Sequence, residues 1–164
     1  MALHFSKQEF EKRKIAILNS MKEQNLDALL MFRQESMFWL TGYDTFGYVF
    51  FQTLIIDQKG NIILLTRAPD LRQAQNTSNI EDIRIWVDKD QSNPTDDLKI
   101  ILNELNLKGK KIGIEYEAYG MTGRNALRLN KSLKDYCEVE DQSELITKHR
   151  VIKSTEEIVY VKRA

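Results

Sequence analysis

The order of elements along the sequence predicts an α/β layered domain with a mixed sheet. A helical pattern at 7–24 precedes a short apolar run at 27–32, and two β-rich segments at 49–56 and 61–66 flank a turn at 57–60. After this hairpin the pattern alternates between helices and strands, which favours parallel strands covered by helices. A hairpin within such an alternation makes the sheet mixed.

The first half of the chain carries clear start and stop signals. Ser6 and Glu9 have the spacing of a capping box, and the apolar residues that follow recur at helical spacing, so a helix is predicted over 7–24. Residues 36–40 are predicted to form a short helix that Gly42 ends.

The second half is predicted to alternate between helices and strands. Pro94 occupies a helix start and Gly109 follows the helix end, with Leu98, Ile101, Leu102 and Leu105 on the buried face. The helix at 122–133 is expected to turn Leu127 and Leu133 inward. The other elements are a helix at 69–75 and strands at 83–87, 111–115 and 136–140.

Composition narrows the function classes. The 164 residues are 42% hydrophobic, enough for one domain with a sizeable core, and 24 basic residues balance 24 acidic ones. Zero net charge argues against a nucleic-acid partner. The single cysteine, Cys137, cannot form an internal disulfide, and no apolar run approaches membrane-spanning length. We therefore expect a cytoplasmic protein without a membrane partner.

The last fifteen residues predict that the polypeptide continues. Ser154 and Glu157 form a second capping box, yet no helix stop signal follows before Ala164. The boundary is expected near residues 142–153. We predict one domain over 1–148, and over 149–164 a junction with the first helix of a further domain.

Three segments together resemble a known family. They are Phe38-Trp-Leu-Thr-Gly-Tyr43, Lys111-Ile-Gly-Ile-Glu115 and Arg150-x-x-Lys153-Ser154-x-x-Glu157. In this order and spacing they are similar to the N-terminal domain of the creatinase, prolidase and aminopeptidase P group, the pita-bread metallohydrolases. The resemblance covers essentially the whole chain.

The resemblance implies a three-layer α/β/α domain with ribonuclease H-like topology, used for dimer contacts and for shaping the active site. In the family, catalysis belongs to the C-terminal domain, where two Asp, one His and two Glu commonly hold two metal ions, often Mn²⁺, Co²⁺ or Zn²⁺; creatinase itself works without metal. This chain is accordingly expected to hold no catalytic residue, metal or cofactor. Its implied partners are its own C-terminal catalytic domain and a second copy in a homodimer, and Arg150, Lys153 and Glu157 mark the domain junction.

The loop at 41–48 is the best functional candidate. Its aromatic residues Tyr43, Phe46 and Tyr48 are predicted to face the substrate or the dimer partner. In creatinases a Phe-Gly-Arg segment here helps to hold the substrate carboxylate of the partner subunit. Tyr48 replaces that Arg and offers one hydrogen bond instead of a bidentate clamp, which argues against creatine and leaves a peptide or small amide open. The simpler alternative is a turn whose aromatic residues pack on the core.

Two further sets of residues have both a functional and a structural interpretation. Asp57, Glu115 and Asp141 follow predicted strands and could bind Mg²⁺ as in a ribonuclease H-like nuclease, although solvent-facing carboxylates are favoured. Arg67 and Arg72 could bind a carboxylate or a partner subunit, although a solvated surface is favoured.

The sequence thus predicts the non-catalytic N-terminal domain of a Xaa-Pro dipeptidase-like metallohydrolase, a C–N hydrolase as a whole but inactive as this chain alone. The alternatives are the same domain of an ectoine-type or creatinase-like amidohydrolase, and a stand-alone binding or assembly module.

Overall fold

A computed structural model describes residues 3–164, in which a six-stranded sheet lies between two layers of helices. The helices are α1 (Lys7–Glu23), α2 (Gln34–Thr41), α3 (Leu71–Thr77), α4 (Pro94–Glu104), α5 (Gly123–Leu133), α6 (Leu145–Val151) and α7 (Thr155–Arg163). The strands are β1 (Ala28–Met31), β2 (Thr53–Asp57), β3 (Ile62–Arg67), β4 (Asp82–Trp86), β5 (Lys111–Ile114) and β6 (Glu138–Asp141).

The sheet has the order β4-β3-β2-β1-β5-β6 and is mixed. β2 pairs antiparallel with both β1 and β3, while every other neighbouring pair is parallel. Strands β3-β2-β1-β5-β6, with the second strand of the chain reversed, form the ribonuclease H-like arrangement, and β4 extends one edge. The predicted three-layer fold class is confirmed.

Each face of the sheet has its own hydrophobic core because side chains alternate along the strands. Leu30 and Ile55 belong to the core that α4 and α5 cover. Leu29 and Leu54 belong to the core that α1, α2 and α6 cover. Every residue of β1 and β2 is buried, as expected for central strands with helices on both faces.

The carboxyl ends of β1 and β5 lie side by side. From β1 the chain passes to α2 on one face, and from β5 it passes to α5 on the other. Such a divergence leaves a crevice at the strand ends, the usual place for binding residues in α/β sheets.

One predicted strand start was wrong. The β-rich run at 49–56 becomes a strand only from Thr53, and a 3₁₀ turn occupies Gly47–Val49. The Trp86 indole donates a hydrogen bond to the Phe51 carbonyl, 3.0 Å away. A Cβ placed on Gly120 would lie 2.3 Å from the Phe50 carbonyl oxygen, so the turn before α5 fills the space beside this segment.

The predicted inward face of α5 was also wrong at one position. Leu127 is 74% exposed, whereas Leu129 and Leu133 are buried. Residues four apart lie within about 40° on a helix, but residues six apart are separated by about 120°, so Leu127 and Leu133 cannot share a narrow buried stripe. The predicted division at 148 and 149 falls inside α6, a helix that no sequence signal indicated.

Candidate functional site

The loop that follows α2, called here the tip loop (residues 42–50), is held by two glycines. Gly42 ends α2 with a positive φ of 80°, a conformation that glycine adopts without strain. A Cβ on Gly47 would lie 2.5 Å from a carboxylate oxygen of Asp70, so the loop backbone packs directly against that side chain.

Tyr43 lies in the core rather than at the loop surface. Its side chain is fully buried, and its hydroxyl donates to Oε1 of Gln52 at 3.0 Å. Burial raises the pKa of the Tyr43 phenol, so it remains a neutral donor. The structure therefore agrees with the simpler alternative for Tyr43, an aromatic residue that packs in the core.

The outer part of the tip loop is different. Phe46 is 85% exposed, and the half-buried ring of Tyr48 meets Tyr119 edge-on with centroids 5.6 Å apart. Val49, Phe50 and Tyr119 are exposed beside them. We call these five residues the exposed aromatic patch, because neighbouring exposed apolar side chains are typical of interaction sites.

Arg67 supports the base of the patch. Its guanidinium lies 3.4 Å from the centroid of the Phe50 ring and pairs with Asp70 at 3.0 Å. The expectation of a solvated Arg67 was therefore wrong, because this arginine is occupied by a neighbouring ring and carboxylate. Arg72 is exposed, as expected.

Glu115 anchors the crevice at the ends of β1 and β5. Its side chain has no solvent exposure, and its carboxylate accepts hydrogen bonds from the backbone N–H groups of Phe32 and Arg33, both at 3.1 Å. The Ser36 hydroxyl donates to the other oxygen at 2.6 Å. Burial outweighs these donors and raises the pKa of Glu115 to about 7.

The three strand-end carboxylates do not form one site. Asp57 pairs with Ala28 at the start of β1, so it lies at the opposite edge from Glu115. Asp57 closes its own turn by accepting from the backbone N–H of Asn61 at 2.9 Å, and Asp141 accepts from Ser143 at 2.6 Å. The expectation that these carboxylates face solvent was wrong for Asp57 and Glu115, which are buried.

The three predicted junction residues come together. Arg150, Lys153 and Glu157 line one open cavity of about 490 Å³ between α2 and α7, which Phe38 and Trp39 also line. Glu157 completes the capping box of α7 with Ser154, as the sequence predicts. Their predicted role in tying two domains together stays a prediction.

Sequence reasoning missed Arg13, a cation in the buried face of α1. Its side chain is 3% exposed and donates to the Trp39 carbonyl at 2.7 Å while pairing with Glu9 at 3.0 Å. A signal was present, because Phe10, Arg13 and Ile17 follow one another at helical spacing, which places the arginine on the apolar face.

Comparison with known proteins decides the family. A profile described as the Creatinase/Prolidase N-terminal domain matches residues 13–152. The chain belongs to that family. The resemblance drawn from the three sequence segments is confirmed.

The curated relatives of this creatinase/prolidase N-terminal domain are longer proteins. An uncharacterized hydrolase/peptidase of Sinorhizobium fredii is 28% identical, and the match covers 99% of this chain and 43% of that protein. The ectoine hydrolase of Halomonas elongata is 25% identical over 100% of this chain and 43% of its own length. The solved Xaa-Pro dipeptidase of Bacillus anthracis has the same fold, with a TM-score of 0.74 at 17% identity over 94% of this chain and 39% of that one.

This domain thus spans less than half the length of the curated relatives it matches. Within residues 3–164, no helix has both the length and the apolar character that crossing a bilayer requires.

Proposed function

We propose that this chain is the non-catalytic N-terminal domain of a Xaa-Pro dipeptidase-like metallohydrolase. The family match over residues 13–152 carries the proposal, and the fold shared with a Xaa-Pro dipeptidase supports it. The parent protein would cleave a C–N amide bond with a metal-activated water in its C-terminal domain.

The proposed parent would use two divalent metal ions, Mn²⁺, Co²⁺ or Zn²⁺. In the part of the chain that the structure describes, no group of three His, Cys, Asp or Glu side chains is arranged to hold a metal ion. The residues present therefore do not fit the metal pair, whose ligands would belong to the C-terminal domain.

The contact with that C-terminal domain is proposed to involve α7 and the segment that leads into it. Val151 and Ile152 are exposed, and so are Ile158 and Val161, which lie three residues apart and therefore on one side of α7. An amphipathic helix without a buried residue of its own gains stability when its apolar face is covered. Arg150 and Lys153 would add polar contacts at the edge of this surface.

The exposed aromatic patch is proposed to contact the partner subunit of a homodimer and to close one wall of its active site. Phe46 offers a large apolar surface, and the Tyr48 hydroxyl offers one hydrogen bond. A neutral hydroxyl suits a peptide or amide group better than the carboxylate that an arginine would bind. Excluding water and orienting the substrate would be the catalytic contribution of this domain.

A substitution in the full-length protein tests the role of the patch. We expect Phe46→Ala to lower kcat/KM for a Xaa-Pro dipeptide about tenfold, the effect of losing a positioning contact of about 1.4 kcal/mol. Val87→Ala, which removes an exposed valine at the end of β4, is the matched control and should leave kcat/KM unchanged. Equal effects of the two substitutions on kcat/KM would contradict the proposal.

An activity assay on the isolated chain tests whether catalysis requires the C-terminal domain. Incubated with Mn²⁺ and a Xaa-Pro dipeptide, it should release no amino acid above a buffer control. Turnover would show that the reactive groups lie in this chain.

An ectoine-type amidohydrolase parent is the second candidate, because the Halomonas elongata ectoine hydrolase aligns with all of this chain. Comparing hydrolysis of ectoine with hydrolysis of a Xaa-Pro dipeptide by the full-length protein separates the two. A stand-alone module would instead be favoured by a stop codon directly after Ala164.

A further inference from the structure

The N-terminal ends of α1 and α7 meet, and α7 completes the cap of α1. Ser6 accepts a hydrogen bond from the Glu9 N–H at 3.1 Å, which is half of the predicted capping box. The other half comes from α7, because the Ser6 N–H and hydroxyl donate to the Glu156 carboxylate at 2.9 and 2.6 Å. These donors lower the pKa of Glu156. The first helix cap of the domain is therefore completed 150 residues later.

This arrangement leaves the Glu9 carboxylate to pair with Arg13 inside the domain. Three anchors fix the guanidinium: Glu9 Oε1 at 3.0 Å, the Trp39 carbonyl at 2.7 Å and the Phe5 ring, whose centroid lies 4.1 Å away. A planar guanidinium held at three points has one orientation, so the direction of its remaining nitrogen is set by the first domain.

That remaining nitrogen faces α7. Arg13 Nη2 is buried, forms no hydrogen bond within residues 3–164, and lies 3.5 Å from Oε1 of Glu157. The other oxygen of the same carboxylate accepts from the Ser154 N–H at 2.8 Å, closing the capping box of α7. One carboxylate thus joins the start of α7 to the buried cation of α1.

We propose that Arg13 is a positioning residue that sets the direction in which α7 leaves the domain. It acts through Glu157, and the Ser6–Glu156 bonds prevent rotation about that contact. We call Ser6, Arg13, Glu156 and Glu157 the junction clasp. That this direction orients a catalytic domain rests on the proposed function; the clasp itself concerns this chain alone.

The first test measures how firmly α7 is held. Glu157→Gln keeps the capping box, since Gln also serves at that position, but removes the charge facing Arg13. We expect the backbone amides of residues 158–163 to exchange with deuterium about fivefold faster, while exchange in β1 and β5 is unchanged. A fivefold change is at the upper end of the effect of breaking a partly exposed ion pair. Glu156→Ala should also accelerate exchange in α7.

The matched control is Glu144→Gln, which changes an exposed glutamate at the start of α6 that makes no capping hydrogen bond. It should leave α7 exchange as in the unsubstituted chain. Unchanged α7 exchange in Glu157→Gln, or the same acceleration of α7 exchange in Glu144→Gln, would overturn the proposed junction clasp.

The second test measures direction, which a merely stabilising residue would not alter. Spin labels on Lys162→Cys in α7 and Lys131→Cys in α5, in a Cys137→Ser background, report one distance across the domain. Arg13→Lys keeps the charge but loses the planar fork, so the distance distribution should broaden or shift while unfolding stays cooperative. A narrow, unshifted distribution would show that Arg13 only stabilises.

Both tests use the chain without substrate or metal. Absence of peptidase activity in the parent would therefore refute the proposed function but not the junction clasp. An unchanged distance distribution in Arg13→Lys would refute the junction clasp but not the proposed function.

Discussion

Glu115→Gln should remove a pH dependence from the stability of this domain. The carboxyl has a pKa of about 7 in the fold against 4.5 in the unfolded chain, because burial disfavours its charge. The native state therefore binds a proton more tightly than the unfolded chain. This contribution is complete below pH 4.5 and is lost as pH rises through 7, a total of about 3 kcal/mol at 1.36 kcal/mol per pKa unit.

A Gln side chain can replace the neutral, protonated carboxyl of Glu115 in this site. Its carbonyl oxygen accepts from the Phe32 and Arg33 N–H groups, and its amide donates to the Ser36 hydroxyl, which reverses the direction of that hydrogen bond. We expect the stability of Glu115→Gln relative to the unsubstituted chain to rise by about 2–3 kcal/mol from pH 5 to pH 8, slightly less than the total because part of the change falls below pH 5.

The assay is urea unfolding at four pH values between 5 and 8, followed by the fluorescence of the buried Trp39 and Trp86. His149, whose pKa burial lowers from 6.5, contributes a slope of opposite sign, since its stability contribution rises with pH in this range. Both chains contain His149, so subtracting the two curves cancels it. Parallel curves for the two chains would refute the reasoning.

Three further predictions use the close packing of the domain. Gly120→Ala should cost about 2 kcal/mol in a thermal melt, because its Cβ would meet a tip-loop carbonyl at 2.3 Å, whereas Gly123→Ala, with open space around it, should be neutral or stabilising. Leu129→Ala should cost about 3 kcal/mol of unfolding free energy and the exposed Leu127→Ala less than about 0.5; equal costs would contradict the burial. Burial raises the pKa of the Cys137 thiol to about 11. At pH 8, maleimide should therefore label Cys137 far more slowly in the folded chain than in the chain unfolded by urea.

The fold was largely predictable because its signals are local. Pro94 at the start of α4 and Gly42 after α2 lie where the sequence indicates. The apolar run from 27 to 32 became the fully buried β1. These features depend on residues within one or two turns, and the tertiary structure does not contradict them.

The candidate site was predictable only in part, because burial depends on neighbours far away in sequence. Tyr43 and Phe46 are both aromatic residues of one loop, yet one fills the core and the other faces solvent. In the sequence Glu115 resembles any acidic residue at the end of a strand, but its hydrogen-bond donors lie about 80 residues earlier. No local pattern distinguishes these outcomes.

The two capping boxes show where local inference stops. Ser154 and Glu157 form the complete reciprocal box, while Ser6 and Glu9, with the same spacing, form half of one. The difference is the buried Arg13, which needs the Glu9 carboxylate as a counter-charge because an unpaired cation there would be costly. Once Glu9 turns inward, the Ser6 N–H requires another acceptor, and α7 supplies it with Glu156. A charge on the apolar face of α1 thus turns the Glu9 carboxylate inward, and a segment 150 residues away completes the first helix cap.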